Sequence, residues 1–347
     1  MKNKSSIVAS ILAMFAISGP VTSAEKLAGE TSDGWWNGTH LLEGGHILIP
    51  VNSKWKKLGS DGSLRTTSFS NIGWNNNPQV MDVNGDGHSD VVLAYNYTWN
   101  IMFADGYGGF NKPINTRISN KGWNTNPQVM DINGDGKDDL LVAADGKWKV
   151  LISNGRGFNT HINTNRANTG WNNNPQVLDV NGDGMDDLVV AYNYTWNIFF
   201  SNGRGFNSAV NSRVSNAGWN NKVHVADMNG DGLEDMLVAV NGTWKKIQSY
   251  GSGFNQPINT GRSSVGYAYS HIMDTNYDNI PELVYPKDFF DNNHVGNWMI
   301  VDLRSHQLID SQVPAYGYRN VAHVTSKHQL TLEHNGYWRR TSLRRPW

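Results

Sequence analysis

Asp82-Val-Asn-Gly-Asp-Gly-His-Ser-Asp90 is the stretch on which the fold turns, because it is repeated. Near-copies stand at Asp131–Asp139, Asp179–Asp187 and Asp227–Asp235, their first residues 49, 48 and 48 apart. A worn copy, Asp274-Thr-Asn-Tyr-Asp-Asn-Ile-Pro-Glu282, follows 47 residues later. A fixed period of this length marks an array of structural units, and it overrides the two-domain expectation that 347 residues alone would raise.

Two further markers extend the count beyond the loops. A Gly-aromatic pair opens each unit, at Gly34-Trp35, Gly73-Trp74, Gly122-Trp123, Gly170-Trp171, Gly218-Trp219, Gly266-Tyr267 and Gly317-Tyr318. A mid-unit tryptophan follows at Trp55, Trp99, Trp148, Trp196, Trp244, Trp298 and Trp338. The pair lies 26 residues before the tryptophan in units with a full loop but 21 in the first and last, so the end units have lost the loop and kept the strands.

Local patterns inside a unit are those of strands. Pro127-Gln-Val-Met-Asp131 leads into the loop, Asp139-Leu-Leu-Val-Ala143 leaves it, and Trp148-Lys-Val-Leu-Ile152 alternates apolar and polar residues. Asn154-Gly-Arg-Gly-Phe158 is a glycine-rich turn into a fourth strand. Four strands per unit predict an all-β chain, a seven-bladed β-propeller with blades starting near residues 34, 73, 122, 170, 218, 266 and 317. The nine residues after Trp338 cannot supply two strands, but Glu25–Asp33 adds nine more, and the sum fits one inter-marker interval. The last blade is therefore expected to take its third strand from the C-terminus and its outer strand from the N-terminus, closing a ring read as a monomer.

Each loop offers oxygen donors at alternate positions. Asp82, Asn84, Asp86 and Asp90, with the carbonyl of His88, form one set. Asp131, Asn133, Asp135, Asp139 and the carbonyl of Lys137 form the next, then Asp179, Asn181, Asp183, Asp187 and that of Met185, then Asp227, Asn229, Asp231, Asp235 and that of Leu233. Asn-Gly and Asp-Gly also suit plain hairpin turns, but a turn does not need three carboxylates, whose repulsion calls for a cation. A hard cation with six to eight oxygen ligands is Ca2+, so four calcium sites are expected. Asp274, Asn276, Asp278 and Glu282 keep the donors of a possible fifth, although Tyr277 and Asn279 replace the glycines that ease positive φ.

The unit, with its Asp-x-Asn-Gly-Asp-Gly-x-x-Asp loop and its later Gly-x-Gly-Phe turn, resembles the FG-GAP/VCBS repeat. The resemblance covers nearly all of the chain after residue 24 and implies a propeller related to integrin α-subunit heads and fungal seven-bladed propeller lectins. It does not specify one activity.

The N-terminus reads as an export signal. Lys2 and Lys4 precede an apolar run from Ile7 to Ile17 and small residues ending at Ala24, where cleavage is expected. The run is too short to span a bilayer, so a secreted or periplasmic protein without a membrane span is anticipated. Without residues 1–24 the chain holds 27 basic and 30 acidic residues, a balance that does not suit nucleic acid. It has no cysteine, so bound metal is the expected cross-link of an exported ring.

Strand direction places the calcium loops and the Gly-x-Gly-Phe turns on one face. The other face carries Trp74, Asn75, Asn76, Tyr95, Asn96, Tyr97, Trp123, Asn124, Trp171, Asn172, Asn173, Tyr192, Asn193, Tyr194, Trp219 and Asn220. Aromatic rings and amides without charge suit sugars, so glycans or glycoproteins are the first partner expected. The tryptophans there read equally well as packing wedges, and the asparagines as turn formers. A protein-binding adhesin or toxin-associated module is the second reading, with a dominant patch at 280–320 that includes Phe289, Phe290, Asp291 and His294. A calcium-assisted polysaccharide-active enzyme is the third, and the chain holds no catalytic signature.

Overall fold

The computed structural model describes residues 25–31, 40–51, 54–59, 63–70, 78–107, 109–120, 127–159, 161–167, 175–264, 267–287, 296–315, 322–326, 329–334 and 337–343. The described residues form seven four-stranded antiparallel sheets arranged in a ring, a seven-bladed β-propeller. Blade 2 shows the plan: strands Gln79–Met81, Asp90–Tyr95, Thr98–Met102 and Ile114–Ser119 run in sequence order from the axis outward. The full loop occupies the space between the first two strands, as the repeat predicted.

Burial explains the composition of each strand. The second and third strands lie between two neighbouring blades, so they are apolar on both faces: Val91, Val92, Leu93, Ile101 and Met102 are all fully buried. The fourth strand is the outer edge and is polar and exposed along most of its length. That edge is blunted by a bulge. Asn115 Oδ1 accepts the Arg117 amide at 2.7 Å and Arg117 takes φ 60°, and the same device recurs at Asn211/Arg213, Asn259/Gly261 and Asp310/Gln312. The local kink leaves no flat ladder for another chain to extend.

The mid-unit tryptophans seal blade to blade. Trp55, Trp99, Trp148, Trp196, Trp244 and Trp298 each sit on the third strand, buried, within a cluster shared with the next blade. Trp99, for example, joins Val92 and Ile101 of blade 2 to Leu140, Val142 and Leu151 of blade 3. Packing of this kind is non-directional and sets no register by itself.

The ring closes as the residue count required. In the last blade, strands Ala322–Ser326, Gln329–His334 and Tyr337–Ser342 are completed by Glu25–Thr31, which pairs antiparallel with Tyr337–Ser342 through Glu25↔Arg340 and Lys26↔Arg339. The segment read as an export signal and the Gly-aromatic pairs, except Gly218-Trp219 and Tyr267, lie outside the described residues. No helix among the described residues is long and apolar enough to cross a membrane.

Candidate functional site

The loop rim is built from backbone amides and carboxylates. Asp82 Oδ1 accepts the amides of Gly85 and Asp86, and its Oδ2 accepts that of Gly87, at 2.8–3.2 Å. Asn84 Oδ1 takes the Asp86 amide and Asp86 Oδ1 the His88 amide. The same ladder recurs on Asp179 and Asp227, and in shortened form on Asp131 and Asp274. Gly85 and Gly87 hold φ of 75° and 82°, which their lack of a Cβ permits.

The ninth residue is the buried end of each loop. Asp90, Asp139, Asp187 and Asp235 are fully buried, and each spans two structural joints with its two oxygens. In blade 3, Asp139 Oδ2 accepts the Ile132 amide inside the loop and Oδ1 accepts the Ser153 amide beyond the third strand. Burial pushes the carboxyls of Asp90, Asp139 and Asp187 up to about 7 and that of Asp235 to about 6, and the loop's other two carboxylates push the same way. The loop thus gathers three carboxyls, and in blade 3 Lys137 Nζ of the same loop meets Asp135 Oδ2 at 3.0 Å. Among the described residues no three acidic or imidazole groups converge at metal-ligand separations, because the loop oxygens face amides. A carboxylate oxygen bonded to one amide still has a lone pair, so the donor set suits a hard cation.

Position eight, read as unassigned in the sequence pattern, proves to be the inter-blade clasp. Asp138 Oδ2 in blade 3 accepts the Asp82 amide of blade 2 at 2.7 Å, while the Asp138 amide donates to the Asp82 carbonyl at 2.8 Å. Asp186 does the same to Asp131, and Glu234 to Asp179. Ser89 and Glu43 form the clasp between blades 1 and 2 with hydroxyl and carboxylate. A second clasp adds the hydroxyls of Ser153, Ser201 and Ser249, donated to Val83, Ile132 and Val180 of the preceding blade. Only an acid or hydroxyl at this position at a fixed step of the repeat could have signalled the clasp. Position eight in blade 6 is Pro281, which has no amide, and there Lys246 Nζ donates to Leu303 O at 2.9 Å and Arg262 to His306 O instead.

The opposite rim is different in kind. At the turn between second and third strands, blades 3 and 5 use Asp145-Gly146 and Asn241-Gly242, all four at positive φ, the signature of a type I′ hairpin. Blades 2 and 4 put tyrosine where glycine belongs. Asn96 and Tyr97 hold φ of 47° and 60°, Asn193 and Tyr194 49° and 60°. A bulky residue in this region costs about 1–2 kcal/mol. Both rings are also pushed into solvent, 74 % and 81 % exposed.

These turns are braced from below. Asn100, buried, donates to Tyr95 O, the Asn120 amide to Tyr97 O at 2.9 Å, and Thr98 Oγ1 to Tyr95 O at 3.0 Å. Blade 4 repeats the set with Asn197, Asn216 and Thr195. Tyr95 and Tyr192 are half-buried at the ends of the second strands, and Asn96 and Asn193 are exposed. Trp219 is half-buried and meets Trp196 edge-on at 4.7 Å, a wedge between blades 4 and 5. Trp74, Asn75, Asn76, Trp123, Asn124, Trp171, Asn172 and Asn173 lie outside the described residues, as do the Asn220 side chain and Phe289, Phe290, Asp291 and His294.

Residues 82–142, 131–190 and 179–238 each match the FG-GAP-like repeat family. No curated protein matches the chain by sequence. Among solved structures, a lectin of Agrocybe aegerita that recognises non-reducing terminal N-acetylglucosamine aligns with a TM-score of 0.63 at 14 % identity, over 89 % of this chain and 88 % of that one. The Tc holotoxin pore of Photorhabdus luminescens aligns with a TM-score of 0.52 at 16 % identity, over 87 % of this chain, which spans 17 % of the toxin chain. The extracellular domain of a putative one-component system from B. thetaiotaomicron aligns at 0.51 and 11 %, over 94 % of this chain and 44 % of that one. At these identities the likeness is one of fold.

The clasp can be tested alone. Asp186→Ala leaves the Asp131 amide without its acceptor and is expected to lower unfolding stability in urea by about 1–2 kcal/mol. Asp186→Asn keeps an acceptor oxygen and is expected to lose less. Equal losses, or none, would remove the clasp from the account.

Proposed function

Since the chain is an FG-GAP-repeat β-propeller, a fold that serves binding, we propose that it is an exported, calcium-braced, lectin-like protein that recognises glycans. The observation that carries this reading is the pair of exposed tyrosines, Tyr97 and Tyr194, held on strained turns of the rim away from the loops. Strain in a turn that glycine would relieve is retained where the ring serves a purpose. A tyrosine offers an apolar face for the C–H side of a pyranose and a hydroxyl for its polar edge. The neighbouring Asn96 and Asn193 add an amide donor and acceptor to each site. Two like sites on one rigid ring favour a multivalent, glycan-coated surface through avidity.

Calcium is the second part of the proposal. The ions would sit at Asp82–Asp90, Asp131–Asp139, Asp179–Asp187 and Asp227–Asp235, and supply positive charge to the gathered carboxylates. They would stabilise the folded ring by binding it and not the unfolded chain. No step of turnover is assigned, and recognition is the whole activity proposed.

Two tests separate these parts. Tyr97→Gly and Tyr194→Gly restore the residue type of blades 3 and 5, so each should raise stability by up to about 1 kcal/mol. The double variant should lose binding on a glycan array on which the parent protein scores. Undiminished sugar binding in the double variant would overturn the assignment, and a blank array with the parent would move the function to a protein partner.

For calcium, the sign follows from the ninth-position carboxyls. Their pKa is raised in the metal-free fold, so their contribution is full below the ordinary value near 4 and is lost as pH rises through about 7. Calcium replaces the proton above that range. The melting-temperature gap between calcium and chelator should therefore be wider at pH 8 than at pH 5.5, and no gap at either pH would contradict the proposal.

A further inference from the structure

One register position of the innermost strands divides the ring into two arcs. Blades 2, 3 and 4 carry Gln79, Gln128 and Gln176 there, paired with Val92, Leu141 and Val189 of the second strand. Blades 5, 6, 7 and 1 carry His224, His271, His323 and His40 at the same position, paired with Leu237, Val284, Thr331 and Leu48. The four histidines stand in four consecutive blades, and the run includes blade 7, which Glu25–Thr31 completes. Three of the imidazoles meet the tryptophan that seals their blade to the next. His224 is buried, lies 5.6 Å from Trp244 between ring centroids, and its Nε2 meets Ser270 Oγ of blade 6 at 2.8 Å. His271 lies 6.3 Å from Trp298, whose cluster reaches Leu330 and Leu343 of blade 7, and His40 lies 6.0 Å from Trp55, whose cluster reaches Val91 and Leu93 of blade 2. His323 holds the same register in blade 7, whose first strand packs against that of blade 1.

The same rows differ in charge farther out. In blades 2, 3 and 4 the third strand continues each row with Ile101, Val150 and Ile198. In blades 1, 5 and 7 it does so with Lys57, Lys246 and Arg340, and in blade 6 with Ile300. Lys222, on the first strand of blade 5, acts on both His224 and His271, His323 acts on His271, and His40 on His323. The acids packed on these strands have other work. Asp235 of blade 5 holds the Met228 and Ser249 amides, Glu282 of blade 6 holds that of Thr275, and Glu25 pairs with Arg340. Glu43, in the turn against the first strand of blade 7, holds the Ser89 amide and His88. Tyr285, in the seam between blades 5 and 6, is a phenol that burial keeps neutral, and His46 pairs with Leu42 two residues from His40. Burial, aided in three cases by neighbouring cations, lowers His40, His271 and His323 to about 4 and His224 to about 3.

We propose that blades 5, 6, 7 and 1 form an acid-sensitive arc, in which proton uptake by His224, His271, His323 and His40 loosens the seams around the blade that closes the ring. An imidazolium in these seams adds to the charge of Lys222, Lys57, Lys246 and Arg340, and a buried charge without compensation is costly. The glutamine arc has nothing to titrate at this position and holds. Blade 7 has a histidine at both of its seams and an outer strand, Glu25–Thr31, held by one partner strand, so it parts first. The imidazoles are neutral in the fold and charge near 6.5 once unfolded. Their contribution is therefore full above that value and is lost as pH falls towards 4. The sign is opposite to that of the ninth-position carboxyls in the metal-free loops.

Proton uptake on unfolding, read near pH 5 from the pH dependence of the urea-unfolding constant, counts these groups, and comparison with the parent cancels the opposite trend of the loop carboxyls. The double variant His271→Gln/His323→Gln adopts the residue of blades 2–4 and should take up about two protons fewer than the parent. His271→Gln alone should take up about one fewer, and the converse Gln128→His about one more. Amide exchange at pH 5, corrected for its intrinsic rate, should rise in Tyr337–Ser342 before it rises in Asp139–Ala144 of blade 3. Proton uptake unchanged in the histidine variants would overturn the proposal, and so would loosening that begins in blade 3.

Discussion

The stacking of one loop against the next is the constraint on which the rest of this ring depends. The fourth residue of each full loop is a glycine pressed onto the following loop. A Cβ on Gly85 would lie 3.3 Å from the Gly136 carbonyl, and one on Gly134 would lie 3.1 Å from that of Gly184. On Gly182 it would meet Leu233 at 2.9 Å, and on Gly230 Ile280 at 3.0 Å. The approach is close because the clasps at Asp138, Asp186 and Glu234 fix the spacing between blades by hydrogen bonds with direction. Tryptophan packing then fills the gaps that this spacing leaves. Apolar burial supplies most of the driving force, and the polar rim selects one register among many that burial alone would allow.

A rim so constrained is a poor place to evolve a binding surface. Its loop carboxylates already hold loop amides and the amides of the neighbouring blade. The other rim carries the hairpin tips, and there the chain tolerates tyrosine in a left-handed turn. Blades 2 and 4 accept that strain and blades 3 and 5 do not, although all four share the same loop. Difference between repeats that share a frame is where function in a repeat protein resides.

Much of this was legible in the sequence. The 47–49-residue period, the seven tryptophans and the nine-plus-nine count at the termini led to seven blades and their closure, because strand geometry leaves little freedom once a period is known. The place of the loops, between the first and second strands of their blades, was legible for the same reason. Position eight was not, since Ser89, Asp138, Asp186 and Glu234 differ in type and their partners lie a blade away, 46 to 56 residues back in the chain. Tyr97 and Tyr194 were visible as aromatic residues, but their strain is a backbone property that no composition reveals.

Hydrogen exchange resolved to single amides, in calcium and in chelator, addresses most directly the proposed division between a structural rim and a binding rim. The amides of Gly85, Gly87, Asp131 and Asp179, which the loop carboxylates and clasps hold, should exchange faster when calcium is removed. Those of the Tyr95–Thr98 and Tyr192–Thr195 hairpins should keep their rates. Hairpins that loosen together with the loops, or loops that do not respond, would contradict the division.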